Sequence, residues 1–485
     1  MEFETIIGLE VHAQLMTRSK MYCRCSADYA SDTPNTHVCP VCLGMPGSLP
    51  SINRQAVEFG MMTALALNCT ISEFTKFDRK NYHYPDLMKG YQISQYDYPV
   101  GHHGWMEIEV DEQKKRAGIT RVHLEEDVAK LSHHPSDFGE SYTLVDVNRS
   151  GMPLMEIVGE PDLRSPEEAR EYLVKLRSIL QYLGVSTANM EEGSFRCDAN
   201  ISIRPVGTTE YLSKVEVKNM NSFKAVYKAL EYEAERQRKA FEKGEKIPQE
   251  TRGWVEESGK TVSQRSKEYA HDYRYFPEPD LPPLTISVDW VEQVRAKLPE
   301  LPEARRDRFM YKYGLPLYDA NLLTVSKSMA DYFEQTAKVS KNIQPKEIAN
   351  WLLGPVSGII NTDSSDIEKF GKKVTCERLA RLLEVNAAGT VSTASAKTVL
   401  EEMYKSGRDA NAIINEQGLG QINDTSEIEK SAAEIVAANP QAVADYKAGK
   451  EQSLKFLVGQ MMRATRGRTN PNMAAELLKK KLEEG

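Results

Sequence analysis

The chain has 485 residues, 40% of them hydrophobic and 27% charged, with a formal net charge of −8. This length predicts more than one domain, and the acidic balance argues against a protein that binds nucleic acid indiscriminately. No apolar run approaches the ~18 residues that span a bilayer, and the acidic start lacks the pattern of a signal peptide. We therefore expect a cytoplasmic protein with no membrane contact.

Short alternating runs broken by Gly, Pro, Asn and Asp dominate up to about residue 290 and predict a large, mainly antiparallel sheet. Two helices interrupt it. The first begins at the capping residue Ser165, with proline at the next position, and ends at Gly184. The second runs from Asn221 to Gly244. The first part of the chain is therefore predicted to be a sheet with flanking helices.

A proline-dense segment, "HDYRYFPEPDLPPLTI", precedes a change to helical periodicity. Helices are predicted over residues 303–313, 327–338, 345–353, 376–386 and 394–405, and a further break lies at "YKSGRDANAI". We predict an α+β protein with a sheet domain over 1–295, an all-α helical domain over 296–407 and a small α-helical tail domain over 408–485.

The strand "IIGLEVHAQL" places Glu10, His12 and Gln14 at alternate positions and hence on one face. "GITRVHLEEDVAKL" repeats the pattern, and "SFRCDANISIR" alternates in the same way. A solvated sheet face explains each strand alone. Taken together, carboxylate, imidazole and amide groups suit Mg²⁺ or Mn²⁺, with Arg and Lys nearby for phosphate. The sequence has no phosphate loop, Rossmann fingerprint or nucleophile elbow.

Four of the seven cysteines lie within twenty residues, as a CxC pair and a CxxC pair: Cys23, Cys25, Cys39 and Cys42. Two close pairs of thiolates can close a tetrahedral structural zinc site with no open position. Ordinary buried cysteines and a redox dithiol are the alternatives.

Several long stretches in order resemble one family. They are "IGLEVHAQL", "FDRKNYHYPDLMKGYQISQYD", "HLEEDVAK", "LVDVNRSGMPLMEIV", "MEEGSFRCDANISIR" and "DYRYFPEPDLPPL", and the helical remainder ending "FLVGQMMRATRGRTNPNMAAELLKKKL" is similar as well. The family is the B subunit of the glutamyl-tRNA(Gln)/aspartyl-tRNA(Asn) amidotransferase. The resemblance covers nearly the whole chain.

This resemblance implies a cradle-like catalytic domain in a heterotrimeric ligase. An A subunit releases ammonia, and a small C subunit completes the complex. The B subunit uses ATP to phosphorylate the side-chain carboxyl of mischarged tRNA(Gln) or tRNA(Asn), and ammonia then displaces phosphate. Because the A subunit produces the ammonia, the B subunit needs no nucleophile elbow. A non-catalytic zinc-ribbon scaffold that binds tRNA is the competing interpretation.

The resemblance also implies roles for individual residues. His12, Glu125 and Glu156 correspond to ligands of Mg²⁺ or Mn²⁺, with Glu10 close enough to assist. Lys89 and Glu126 fit an ammonia passage, although Lys89 could be a plain surface lysine. The cysteines fit the zinc-binding members of the family. Residues expected around ATP or the aminoacyl end are Asn148, Arg149, Asp198, Asn200 and Lys218.

The tail carries basic residues on an otherwise acidic chain: Lys455, Arg463, Arg466 and Arg468. The family's tail domain binds the body of the tRNA, and a local basic patch is what an acidic protein needs for that purpose. A solvated helix face is the alternative.

Overall fold

A computed structural model describes residues 2–135, 141–209, 212–266, 272–420, 425–447, 450, 452–465, 469 and 471–484. The chain divides into two compact units, Met1–Leu301 and Pro302–Gly485. The first combines a large sheet with helices and the second is built from helices, so the α+β prediction is confirmed. The three predicted domain ranges stay a prediction.

The described part of the first unit contains sixteen strands and four α-helices. The strands are β1 (Phe3–Gln14), β2 (Thr70–Ile71), β3 (Phe74–Thr75), β4 (Asp78–Asn81), β5 (Tyr91–Ser94), β6 (Gly101–Val110), β7 (Gln113–Glu126), β8 (Lys130–His134), β9 (Tyr142–Asp146), β10 (Pro153–Gly159), β11 (Phe195–Pro205), β12 (Val215–Lys218), β13 (Glu250–Val255), β14 (Lys260–Ser266), β15 (Phe276–Pro277) and β16 (Leu284–Thr285). The helices are α1 (Arg54–Ala66), α2 (Pro166–Leu183), α3 (Phe223–Glu242) and α4 (Val288–Arg295).

Twelve of these strands form one sheet, with the main order β14-β13-β12-β11-β1-β10-β7-β5-β4-β15 and with β6 joining β7 to β2. Neighbouring strands run antiparallel except β12 and β13, which are parallel. Two small sheets pair β16 with β3 and β8 with β9. The strand β1 therefore lies in the middle of the large sheet, between β10 and β11.

The two faces of the large sheet differ in polarity. Ile7, Leu9 and Val11 of β1 are buried in a core that also contains the apolar sides of α1, α2 and α3. Residues at alternate positions project to the other face, so Glu10 and His12 lie away from these helices. The polar residues predicted on β1 thus share one face of the sheet.

Local capping confirms both predicted helices of this unit. Ser165 Oγ accepts a hydrogen bond from the Glu168 amide at the start of α2, and Gly184 ends that helix with a φ of +68°. Ser222 caps α3 in the same way. The helix α1 was not predicted. Most of its residues are buried, so its apolar residues are not confined to one face and show no clear helical period.

The described part of the second unit contains thirteen α-helices and a π-helical turn over Leu352–Val356. The helices are α5 (Pro302–Tyr313), α6 (Leu317–Thr324), α7 (Lys327–Val339), α8 (Pro345–Trp351), α9 (Ser357–Thr362), α10 (Ile367–Lys373), α11 (Cys376–Ala387), α12 (Thr393–Ser406), α13 (Ala410–Glu416), α14 (Thr425–Ala438), α15 (Pro440–Lys447), α16 (Gln452–Ala464) and α17 (Pro471–Glu484). The five predicted helices are confirmed with small shifts at their ends.

The buried apolar residues of the second unit form two separate hydrophobic clusters. One extends from Phe309 to Ile414 and the other from Ile428 to Leu482. In the ranges that the structure describes, none of the helices has the length and apolar character needed to cross a membrane.

Candidate functional site

Three neighbouring strands bring two imidazoles and a carboxylate into one row. His12 of β1 lies opposite Glu156 of β10, and Glu156 lies opposite His123 of β7. Residues directly opposite one another in a sheet share a face. Oε2 of Glu156 consequently lies 3.2 Å from Nε2 of His12 and 3.3 Å from Nε2 of His123.

Glu125 adds a second carboxylate to this row. It lies two residues beyond His123 on β7 and projects from the same face. Its Oε1 lies 3.5 Å from Nε2 of His12, and one ligand atom each from His12, Glu125 and Glu156 lie within 4.8 Å of one another. One imidazole nitrogen and two carboxylate oxygens suit a hard divalent cation. These three residues, called the cation cluster below, therefore fit Mg²⁺ or Mn²⁺.

The charges within the cation cluster stabilise one another. Burial disfavours the charged form of His12, but Glu156 and Glu125 outweigh it and raise the pKa of His12. Burial also disfavours the Glu156 carboxylate, yet the charge of His123 and hydrogen bonds from both histidines hold the pKa of Glu156 well below its usual value. Glu156 is therefore ionised at neutral pH, as a cation ligand has to be.

Two arginines flank the cation cluster. Nη2 of Arg121 lies 3.8 Å from Oε1 of Glu156. Arg196 lies opposite His12 on β11, and its Nη2 is 3.1 Å from Oδ1 of the buried Asp127. The two side chains are 36% and 37% exposed, so both guanidinium groups reach solvent. Arg196 belongs to the alternating stretch "SFRCDANISIR", but the sequence patterns predicted no role for either arginine.

Lys80 of β4 is a further cation near the site, and the sequence patterns did not single it out. Burial disfavours its ammonium group, but the charges of Glu125 and Glu156 raise the pKa of Lys80. Its Nζ lies 5.0 Å from the ring centroid of Tyr273 and 5.9 Å from that of Tyr82. The alternation of Lys80 and Tyr82 in the sequence is the signal that could have placed the two on one strand face.

Glu10 lies beside the cation cluster and outside it. Two residues of extended chain separate Glu10 from His12, roughly 7 Å along the strand. Oε1 of Glu10 accepts a hydrogen bond from Nδ2 of Asn200 at 2.9 Å. Nζ of Lys218 lies 2.5 Å from Oδ2 of Asp198, which is opposite Glu10. These four residues form a polar group at the next positions along the same face.

Asn148 and Arg149, also expected near ATP, are engaged with the backbone of this chain. Oδ1 of Asn148 accepts from the His37 amide at 2.8 Å, and Nδ2 donates to the Thr33 carbonyl at 2.8 Å. Arg149 donates to the carbonyls of Val128 and Ala129 at 2.9 and 3.0 Å. Asn148 is 1% exposed, so its amide must find partners inside the protein. The structure does not bring Asn148 into the cation cluster.

The four cysteines of the CxC and CxxC pairs come together, with one sulfur of each within 4.8 Å of the others. The Cys39 amide donates a hydrogen bond to Sγ of Cys42 at 3.1 Å. A hydrogen bond from Cys23 and the charge of the buried Lys20 lower the pKa of Cys42. Four sulfur donors of this arrangement, called the cysteine knuckle below, fit a closed zinc site.

Lys89 and Glu126 form an ion pair. Nζ of Lys89 lies 2.6 Å from Oε1 and 2.7 Å from Oε2 of Glu126. Oε1 of Glu126 also accepts a hydrogen bond from the Ile93 amide at 3.0 Å. Glu126 is only 3% exposed, so the ion pair neutralises a buried carboxylate. The side chain of Lys89 is itself 13% exposed.

Two family models match the chain. The model described as the GatB/GatE catalytic domain matches residues 5–292, and the model described as the GatB domain matches residues 331–482. Together they cover most of the sequence. The chain belongs to the GatB family.

Curated relatives agree along the full length, and the resemblance read from the sequence is confirmed. A protein of Dehalococcoides mccartyi (strain CBDB1) is 63% identical over 491 residues, which is 100% of both chains. A protein of Carboxydothermus hydrogenoformans is 54% identical over 481 residues and 99% of both chains. One of Thermomicrobium roseum is 54% identical over 484 residues, 100% of this chain and 99% of the relative. Each of the three is named as the B subunit of an aspartyl/glutamyl-tRNA(Asn/Gln) amidotransferase.

The cation cluster, the cysteine knuckle and the Lys89–Glu126 pair all fall within the range of the GatB/GatE catalytic domain. The basic tail residues fall within the range of the GatB domain. Lys455 and Arg463 are exposed on α16. Arg466 and Arg468 lie outside the described residues.

Proposed function

We propose that this chain activates the side-chain carboxyl of mischarged Glu-tRNA(Gln) or Asp-tRNA(Asn) by ATP-dependent phosphorylation. It acts in a heterotrimer with an amidase-type A subunit, which releases ammonia, and a small C subunit. The observation that carries the proposal is the cation cluster of His12, Glu125 and Glu156 on the polar face of the sheet, with cationic side chains around it. Membership of the GatB family supports the same assignment.

Phosphoryl transfer depends mainly on positioning and on neutralisation of charge. A divalent cation held by the cation cluster supplies that neutralisation at phosphate oxygens when it is bound. Arg121 and Arg196 lie where they can bind further phosphate oxygens, and Asp127 fixes the orientation of Arg196. Glu125 and Glu156 are the catalytic candidates of this step.

The nucleoside or the aminoacyl end fits the neighbouring cavity. This cavity has a volume of about 580 Å³ and is lined by Glu10, Asn200, Ser202 and Lys214 among others. A cavity of this size with a few convergent polar groups is typical of small-ligand binding. Asp198 and Lys218 lie on the same face and are assigned to the same region. The side chains of Asn148 and Arg149 are assigned to holding the backbone at residues 33–37 and 128–129 rather than to ligand contact.

Lys89 and Glu126 are assigned to the ammonia passage. The ion pair closes the space between the two side chains, so ammonia would pass only when the pair separates. A buried charged pair is costly to keep in a purely structural role, which supports a functional one. The cysteine knuckle is assigned to structural zinc.

The second unit is assigned to tRNA binding through its basic tail. Lys455 and Arg463 project from α16, and Arg466 and Arg468 follow in the sequence. Contacts from such residues neutralise backbone phosphates of an RNA.

The assay that tests the proposal is ATP hydrolysis dependent on mischarged tRNA, with the chain purified together with its A and C subunits. The variants His12→Ala and Glu156→Ala should abolish this hydrolysis and leave glutamine hydrolysis intact. The exposed Glu160, four residues beyond Glu156, supplies the control variant Glu160→Ala, which should behave as the parent.

Unchanged amide formation in both cluster variants would overturn the assignment of the cation cluster. In that case the non-catalytic tRNA-binding scaffold with a zinc ribbon would be favoured.

A further inference from the structure

The cysteine knuckle packs directly against the backbone of Lys89. The turn through Cys39 and Cys42 ends at Gly44, whose φ is +66°. A Cβ at Gly44 would lie 2.8 Å from the Met88 carbonyl oxygen and 2.9 Å from both Cα and Cγ of Lys89. Only a residue without a side chain allows this approach. The turn that carries two of the four sulfurs therefore forms a wall for the stem of Lys89.

The cysteine knuckle also lies close to the other half of the ion pair. A Cβ built on Gly151 would lie 3.6 Å from Cβ of Cys42, 3.6 Å from Cδ of Lys20 and 3.8 Å from Oε2 of Glu126. Cys42, Lys20 and the Glu126 carboxylate therefore all lie around the same glycine.

The first cysteine pair is fixed to the same region. The Lys20 amide donates to the Cys25 carbonyl at 3.0 Å, and the Met21 amide donates to the Gly151 carbonyl at 2.7 Å. Nζ of the fully buried Lys20 donates to the His37 carbonyl at 2.8 Å. Both cysteine pairs therefore connect to the surroundings of the Lys89–Glu126 pair through short contacts.

We propose that the cysteine knuckle is the positioning element of the Lys89–Glu126 ion pair, and that metal of the zinc class bound to the four sulfurs fixes where Lys89 lies. The bound metal would tie the turn through Cys39 and Cys42 to the pair Cys23 and Cys25. Without it, the turn is free to move and Lys89 loses the wall that holds its ammonium group on Glu126. If the ion pair gates ammonia, which rests on the proposed function, ammonia transfer becomes dependent on this metal.

Chemical labelling of lysines, read by mass spectrometry, tests the proposal on the full-length chain in its complex. Cys25→Ser should lower the zinc content, measured by atomic spectrometry, and raise the acylation rate of Lys89 about tenfold. A factor of ten requires ~1.4 kcal/mol, which is less than a buried ion pair typically loses when it is broken. Lys115 is the internal control, since its Nζ lies 2.7 Å from Glu168 in an ion pair outside the cysteine knuckle. Its acylation should not change.

An unchanged acylation rate of Lys89 in the zinc-depleted protein would overturn the proposal. An equal rise at Lys115 would overturn it too, because that result shows general loosening of the unit. The labelling requires neither ATP nor ammonia, so its outcome does not depend on whether the proposed function holds.

Two glycines of the same segment give a matched pair of variants that keep all four cysteines. Gly44 and Gly47 both have positive φ, but a Cβ at Gly47 has no atom within 4 Å, whereas one at Gly44 meets Lys89. Gly44→Ala should raise acylation of Lys89 while the protein retains zinc, and Gly47→Ala should not. Equal effects of the two variants would overturn the proposal, because backbone strain alone would then account for them.

Discussion

Glu156→Gln is the sharpest perturbation of the cation cluster. The carboxylate accepts from His12 and His123 on one oxygen and faces Arg121 on the other. Glutamine keeps the volume of the side chain and can still form hydrogen bonds, so packing is preserved while one negative charge is removed. Any change therefore reports on charge.

The expected loss of cation affinity and of ATP hydrolysis follows from the proposed role of Glu156 as a cation ligand. Outer partners of metal ligands typically contribute 10–100-fold in affinity or activity, so loss of a charged ligand should cost about 100-fold, or about 2.8 kcal/mol. ATP hydrolysis that depends on mischarged tRNA should fall by at least that factor. In the metal-free protein the substitution should also lower the pKa of His12, because Glu156 contributes most of what raises it.

Calorimetric titration with Mn²⁺ measures the affinity, and NMR titration of the histidine rings measures the pKa. Glu160→Gln serves as the control, since Glu160 is exposed and accepts a hydrogen bond from Thr120 at 2.8 Å. If Glu156→Gln binds Mn²⁺ and hydrolyses ATP as the parent does, the cation cluster is not the site of activation.

Three further predictions concern the ion pairs and the tail. Lys89→Met should lower the free energy of unfolding by about 3 kcal/mol in urea titration, because Glu126 stays buried without its cation, and adding Glu126→Gln should recover part of that loss. Glu233→Gln should cost about 3 kcal/mol and lower the thermal midpoint, because Glu233 is fully buried and receives several charged hydrogen bonds. Lys455→Ala and Arg463→Ala should each reduce the salt slope of tRNA binding by about one, measured by filter binding over a range of salt concentrations.

Strand alternation in the sequence was enough to place the polar residues on one face, but it contains no information on pairing. His12 and Glu156 are separated by about half of the sheet domain in sequence, yet β10 inserts directly beside β1. His123 belongs to the alternating stretch "GITRVHLEEDVAKL", but only the strand register shows that it lies opposite Glu156. The chemistry of the site thus depends on strand order, which alternation cannot supply.

For Asn148 and Arg149, the sequence suggested contact with a ligand, whereas the structure shows contacts within the chain. Their motif matches the family, and their residue types suit phosphate or amide recognition. Burial instead commits the Asn148 amide to the backbone of residues 33 and 37. From sequence alone, a polar side chain that binds a ligand and one that holds a neighbouring loop look the same, because both need a partner and only the fold decides which is present.

Adjacent residues of β7 project to two different groups of side chains. Glu125 points to the cation cluster, whereas Glu126 points to the opposite side and pairs with Lys89. Their partners across the sheet are Leu154 and Pro153 of β10. The same strand register therefore determines the direction in which each carboxylate projects. A slip by one residue would move each carboxylate to the opposite face of the sheet. A displacement at the end of β7 would therefore disturb both carboxylates together. Under the proposed function, this strand end is a structural element shared by the phosphorylation step and the ammonia passage.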